Sequence, residues 1–341
     1  MTDRLVAIAI NSTSDYGVTT IGTDIAGTYY KFRGSADTDG VNRTPISEEN
    51  MDTMAPGEID GGGYAVTGNI DGTLRTDPGT LNLISCFMGV QASGTTAGTY
   101  YMTNIPLTTC TLLVYDEQAN DNAGVATYYT GVGMTSMEIS CKVEDYAKLK
   151  FAWIGRRAIT VHGALSAAPT EPTWTSFPMS VYYNAVLTFG GTVLQTKGIT
   201  VKAERKYAQD YRFLGSQFLQ GLYINGMSNL SGTMDIGAGE WDLVSQIING
   251  SSIGGALDSG HTEFDGSLAN TMASGELKLK FYRPAGSGAT NGLLLTVTIA
   301  KCVVTDFNRS VQNRNMWEKT VNWKAALPTS ADFSITVAAV T

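Results

Sequence analysis

Short alternations of apolar and polar residues recur along the chain, and one stretch in each half breaks that rhythm. "LVAIAI", "TYYKFRG", "YAVTGNIDGTL", "TLLVYD", "TSMEISCKV", "LKFAWIG" and "AITVHG" are β-branched or aromatic, and Gly, Asn and Asp bound them. A two-residue period of this kind predicts strands. Residues 77–88 follow helical spacing instead, with Leu81, Ile84 and Met88 at i, i+3 and i+7. Asp77 suits the N-cap, Pro78 the first helical position and Gly89 the C′ position. The second half repeats the device with Trp241, Val244, Ile248 and Gly250. The pattern predicts a mainly β protein built from two tandem β-sandwich or barrel domains, each with a short flanking α-helix.

The halves also echo each other in words. "GTLRTDPGTLNLISCFMG" (72–89) matches "GTMDIGAGEWDLVSQIING" (232–250), aligning Gly72 with Gly232, Gly79 with Gly239 and Leu83 with Leu243. "YKFRGS" at Tyr30–Ser35 meets "YRFLGS" at Tyr211–Ser216, and Thr135, Met137, Ser140 and Trp153 meet Thr305, Phe307, Ser310 and Trp323. The order is collinear, so the chain reads as a duplication: a first domain at 1–163, a Pro-bearing semi-rigid linker at 164–180 and a second domain at 181–341. The changing spacing implies an insertion in the first copy, which coincides with residues 36–62. Trp153 and Trp323 read as equivalent core residues.

Composition narrows the class. The 341 residues suffice for two cores, with 43% apolar residues, 16% charged and 38 glycines. No apolar run reaches the ~18 residues of a membrane span, and the N-terminal run is shorter than a secretory segment, which points to cytoplasmic synthesis. The formal charge of −8 lies mostly in 36–62, read as a long loop holding seven acids against one arginine. That balance excludes the basic footprint of a nucleic-acid binder. Cys86, Cys110, Cys141 and Cys302 are too scattered for a zinc site or a disulfide framework, so buried free thiols are expected.

Catalytic signals are weak. Gly250–Gly254 matches G-x-S-x-G around Ser252, but at the end of a predicted helix rather than on a strand-to-helix turn. Only His162 and His261 exist to serve as base. "DTDG" (Asp37–Gly40) resembles part of a calcium loop without its third ligand or terminal Glu, and "GGG" at 61–63 reads as a hinge. No cofactor motif is present, and no enzyme is predicted. The tyrosine pairs in "GTYYMT" and "ATYYTG" should each place one ring inward and one outward.

The order strand, "GS", long polar loop, strand, "GTL…PG", short helix, "G", then a strand meander ending in Trp resembles the tail tube proteins of long-tailed bacteriophages. "YYKFRGS", "VTGNIDGTLRTDPGTLNLISCFMG" and "TSMEISCKVEDYAKLKFAWIG" carry the likeness. The resemblance implies a virion structural protein whose six domains make a ring and whose rings stack into a hollow tube. Two domains per chain then imply a trimeric, pseudo-hexameric ring. Implied partners are the chain itself, a tape measure protein inside the tube, terminator and tail-tip proteins at its ends, and double-stranded DNA passing without specific binding. The resemblance further implies that the loop 36–62 reaches an adjacent ring. Asp37, Asp39, Glu48, Glu49, Asp52, Glu58 and Asp60 are then candidate inter-ring contacts, with Lys202, Arg205, Lys206 and Arg212 as basic partners. A surface adhesin or carbohydrate-binding module, a hydrolase around Ser252, and another virion ring or decoration protein are the competing readings, since fold alone does not fix function.

Overall fold

Among the described residues, seventeen strands, one α-helix and a short 3-10 turn at Tyr182–Asn184 make up the regular structure of the computed structural model. The described residues are 4–10, 27–47, 59–88, 98–102, 109–117, 119, 124–165, 168–172, 180–208, 214, 221–224, 228–237, 274–282, 292–310, 318–326 and 332–338.

The first half contains β1 (Arg4–Ile10), β2 (Tyr30–Phe32), β3 (Gly34–Ser47), β4 (Ile59–Thr73), α1 (Pro78–Met88), β5 (Gly98–Tyr101), β6 (Cys110–Asp116), β7 (Val125–Lys142), β8 (Lys148–Gly155) and β9 (Arg157–His162). Strands β2, β1, β6, the front of β7 and β9 lie side by side in that order. Strands β3, β4, β8 and the rear of β7 form a second row. The long strand β7 belongs to both rows. Because strand side chains alternate between faces, each row sends one set inward, and Val6, Ile8, Leu112 and Tyr129 share a buried cluster with Ile70, Met137, Ile139 and Phe151.

The second half contains β10 (Ala185–Phe189), β11 (Thr192–Leu194), β12 (Thr196–Glu204), β13 (Asn229–Ile236), β14 (Ser274–Tyr282), β15 (Leu293–Ser310), β16 (Glu318–Ala325) and β17 (Phe333–Val337). Its pairings reproduce the first set. Strands β11, β10, β14, the front of β15 and β17 make one row, and β12, β13, β16 and the rear of β15 make the other. Even the irregularities recur. Trp153 lies opposite Met134 on β7 and Trp323 opposite Val304 on β15, and in both strands the register shifts at the next residue, Thr135 or Thr305. Both indoles are buried, and among the described residues neither ring N–H has a hydrogen-bond partner.

Two pairings cross between the halves. Strand β7 pairs with β12, and β5 pairs with β17, so all the strands belong to one hydrogen-bonded network. The core likewise runs through both halves.

The registers refine the sequence echo. Gly68 lies opposite Trp153 and Gly232 opposite Trp323, so Gly232 corresponds to Gly68 rather than to Gly72. Strand β3 corresponds to β12, which places the counterpart of Ser35 at Gly198 and not in "YRFLGS". The stretches 35–71 and 198–235 are then of nearly equal length, so by strand pairing neither carries the insertion that the sequence echo implied. Residues 36–47 and 59–62, expected in a loop, belong to the β3 and β4 hairpin. Backbone hydrogen bonds hold that hairpin and do not need apolar side chains, which hid it from the alternation. Its register shifts fall at Asp39–Gly40 and near Pro45, where a turn-forming pair and a residue without an N–H favour bulges. "DTDG" and "GGG" therefore sit on strands.

Helix α1 is buried on every side, including Asn82 and Ser85, rather than along one stripe. Its N-cap matches expectation: the Thr80 N–H donates to Asp77 Oδ2 at 3.1 Å and the Thr80 hydroxyl to Oδ1 at 2.8 Å. Burial pushes the Asp77 carboxyl up, against the pull of those hydrogen bonds. Asp77→Ala should cost about 1–2 kcal/mol, whereas Asp77→Asn keeps the acceptor and removes the buried charge. A raised folded-state pKa means the native protein holds the proton longer, so wild-type stability relative to Asp77→Asn should fall as pH rises through the carboxylate range. Urea titrations of the three proteins on either side of that range check both statements.

The stretch 164–180 is pinned where it is described. Thr170 bridges Tyr30 and exchanges backbone hydrogen bonds with Tyr29 and Lys31, Glu171 pairs with Lys31 at 2.7 Å, and Ser180 bonds Leu74 and Ala147. Tyr100 is buried and Tyr101 exposed, as alternation requires. Tyr128 and Tyr129 are both buried, because both faces of β7 are covered there: Tyr129 packs on Trp153 and Tyr128 on Tyr29. All four cysteines are buried free thiols, and burial raises Cys141 to about 11 and Cys302 to about 12.

Candidate functional site

The row of strands β3, β4, β8, rear β7, β12, β13, β16 and rear β15 crosses both halves without interruption. Where side chains are described, one of its faces is packed with Ile70, Phe151, Ile139, Val201, Met234 and Val321. The opposite face carries Asp71, Lys150, Glu138, Lys202, Ser231 and Lys324, half-buried to exposed. These six stand on neighbouring strands in direct register: Asp71 opposite Lys150, Lys150 opposite Glu138, Glu138 opposite Lys202, Lys202 opposite Ser231 and Ser231 opposite Lys324. Opposite charges placed directly across strands stabilise a sheet modestly. Here they also cancel charge along the face.

Strand β12 is the seam of this sheet. Seven of its residues pair with β7, from Gly198 opposite Lys142 to Glu204 opposite Ser136. The inward seam residues Ile199, Val201 and Ala203 and their neighbours Met137, Ile139 and Cys141 are all buried. On the outer side Lys202 Nζ lies 2.6 Å from Glu204 Oε1. That hydrogen bond holds Glu204 below the usual carboxylate range and raises Lys202, with the Glu138 charge adding to the latter. The pair therefore persists at neutral pH and is lost as pH falls through the lowered Glu204 pKa.

At the end of β12 the chain turns inward. The Arg205 N–H donates to the Thr135 carbonyl. Arg205 is only 3% exposed, and its guanidinium donates to the Met88 carbonyl at 2.9 Å and stands 5.4 Å from the Phe87 ring centroid. A basic group at a helix C-terminus meets the negative end of the helix dipole. Burial pulls the Arg205 pKa down and pushes that of its neighbour Tyr207 up. The charge of Arg205 is thus used inside the chain, to tie β12 to α1.

The other sequence candidates fall in different places. Asp37 and Asp39 lie on β3, Asp37 opposite Asn69, and Asp60 lies on β4 opposite Ile46. Lys206 is exposed just beyond the seam. Glu48, Glu49, Asp52, Glu58 and Arg212 lie outside the described residues, as do Ser252, His261 and the helix expected after Trp241. His162 is exposed at the end of β9. No helix among the described residues is long and apolar enough to cross a membrane. Sequence reasoning missed Asp71, Glu138, Lys150 and Glu204, although the alternations "MEISCK" and "KLKF" already put charge on one strand face.

No curated protein compared with the chain matches it. The family described as Phage tail tube protein does match, over residues 3–292. With that match across most of the length, on an antiparallel β network, the chain belongs to the phage tail tube protein family, a structural component of the virion tail that assembles with itself and with other tail proteins.

Proposed function

We propose that three chains close into a pseudo-hexameric ring and that rings stack into the hollow tube through which DNA passes during ejection. In this reading 1–163 and 181–341 are two equivalent units, with 164–180 as a strap packed on the first. The observation that carries it is the repetition of one strand-pairing scheme in both halves, joined edge to edge through β7 and β12. A side-by-side joint that leaves complementary edges at the two ends can be repeated by further copies, and a closed heterologous ring is the finite outcome.

The open polar face of the long sheet is the surface we assign to the channel. Asp71 and Glu138 beside Lys150, and Glu138 and Glu204 beside Lys202, leave these lysines matched by carboxylates. Phosphate contacts to unmatched Lys or Arg would hold DNA through counterion release, and a charge-cancelled wall avoids that drag. Tape measure, terminator and tail-tip proteins are the partners this reading expects.

Electron microscopy and native mass measurement of the concentrated protein test the assembly. Rings of three chains, or hollow filaments built from them, support it, and a persistent monomer that binds glycans favours the adhesin reading instead. For stacking, we propose that the acidic stretch 36–62, through Glu48 and Glu49, meets basic residues of the next ring, with Lys206 and Arg212 as its partners. Reversing Glu48 and Glu49 to Lys should shorten or abolish tubes while trimers persist, and tubes of normal length would sink that pairing.

A further inference from the structure

We propose that a basic hollow on the polar face of the long sheet, whose chemistry is built in the first half of the chain and not repeated in the second, binds a carboxylate of an acidic protein segment, one per chain. The proposal rests on the reading above that this face lines the channel, and it names the chemistry by which a protein in the channel is held.

The hollow measures about 400 Å³ and lies at the end of the sheet where β4 and β8 close on the Thr73 and Lys148 pair. The side chains of Arg33, Ser35, Asp71, Thr73, Lys148 and Lys150 line it. Three cations therefore face one carboxylate. Lys150 lies opposite Asp71, and Lys148 Nζ is 2.5 Å from Asp145 Oδ2 in a pair whose side chains are 50% and 41% exposed. So exposed an ion pair contributes little, and an incoming carboxylate exchanges for it at small cost. Asp145 keeps the Tyr146 N–H, 2.8 Å from its Oδ1, as a donor when it releases Lys148.

The repeated strand scheme supplies an internal control. Counting from the matched pairs Gly68 with Trp153 and Gly232 with Trp323, Asp71 corresponds to Asp235, Lys150 to Thr320 and Lys148 to Glu318. Gly34 lies opposite Gly72 and Thr196 opposite Ile236, which sets Arg33 against Gln195. The aspartate is kept and every cation is replaced. Thr320 donates its hydroxyl to Asp235 Oδ1 at 2.8 Å, so a neutral hydrogen bond suffices at this corner of the sheet. Lys197 and Lys142, on either side of Gly198 and across the seam from it, line a separate hollow of about 50 Å³ beside Cys141 and Leu279. The strand scheme thus does not require Arg33, Lys148 and Lys150 at these positions, and what they add is affinity for an anion.

The surrounding carboxylates select the kind of anion. Asp71 stands inside the hollow, Glu138 beyond Lys150 and Asp145 behind Lys148. Duplex DNA carries a charge every ~1.7 Å along its axis, so a phosphate placed among the three cations would press its neighbours against these acids. A single carboxylate on a flexible side chain enters alone and meets only the cations, which favours a protein segment through charge complementarity.

Fluorescence anisotropy with a labelled oligoglutamate peptide tests the site on the purified full chain. Wild type should bind one peptide per chain, and Lys148→Glu with Lys150→Glu should weaken binding about tenfold while assembly is unchanged. Gln195→Arg, Glu318→Lys and Thr320→Lys together should build the hollow a second time and raise the stoichiometry to two. Wild type that binds no peptide, or a Lys148→Glu, Lys150→Glu protein that binds as wild type does, overturns the site. A short DNA duplex that displaces the peptide and depends on the same two lysines overturns the choice of a carboxylate. Tubes lost in the Lys148→Glu, Lys150→Glu protein would make the hollow a contact between rings and overturn the proposed partner. Wild type that forms no rings overturns the channel reading alone, because the peptide titration needs no assembly.

Discussion

Gly232→Val is expected to destabilise the protein by about 3 kcal/mol, at the upper end of what overpacking typically costs, against a total stability on the order of 5–15 kcal/mol. A β-carbon at Gly232 would run into the Thr200 carbonyl oxygen and lie 2.8 Å from Trp323 Cε2. Thr200 belongs to β12, which is hydrogen-bonded on both sides, so the carbonyl cannot retreat without opening the seam. Trp323 is 1% exposed and has no room to tilt. Since the obstacle is backbone, Gly232→Ala should also lose most of this stability. Gly98→Ala, where nothing lies within 4 Å of the added carbon, should be near neutral. Urea midpoints of the three variants decide the matter, and a Gly232→Ala protein as stable as wild type would refute the packing argument.

Arg205→Ala should cost a similar amount, about 3 kcal/mol, by combining a cavity with an orphaned acceptor. Truncation removes the donor to Met88 O and the cation beside Phe87. Arg205→Met separates the contributions. It keeps the apolar stem and relieves the desolvated charge, so the hydrogen bond and the cation beside Phe87 are lost without a cavity and the cost should shrink to about 1 kcal/mol. Arg205→Lys is not a conservative change here, because a point charge cannot reproduce a planar group held over a ring. Equal stability of the alanine and wild-type proteins in urea would show that the tie between β12 and α1 contributes nothing.

Sequence reading recovered what large or conformationally special residues announce. Trp153 and Trp323 mark equivalent core sites because an indole needs a matching hollow, and the Thr135 and Thr305 echo coincides with the bulge that follows each. Asp77 and Pro78 announced the start of α1 through their backbone preferences. Strand register was not available in the same way. Short β segments share a limited vocabulary, so "YKFRGS" and "YRFLGS" look alike without occupying equivalent places, and Gly72 was matched where Gly68 belongs. The outer part of the β3 and β4 hairpin, 36–47 with 59–62, was hidden for a related reason: a hydrogen-bonded ladder is made by the backbone, and Asp, Gly and Asn along it carry no alternation to detect. Arg205 was read as a partner for an adjacent ring because a basic residue near the end of a strand gives no local sign that its side chain turns inward to a helix end distant in sequence.

The seam between β7 and β12 has a kinetic consequence. Tethering its two faces on one polypeptide turns that contact into an intramolecular step, for which a short connection supplies an effective concentration of about millimolar. In the proposed ring half of the contacts are then complete as soon as a chain folds. Only the contact between chains depends on how much protein the cell has made, so polymerisation waits on a single kind of bimolecular event. The two contacts also engage different residues, the one inside the chain setting Glu138 against Lys202. Mutation can therefore tune the threshold for polymerisation at one without altering the folding of the other, a freedom unavailable to a tube made of identical single units.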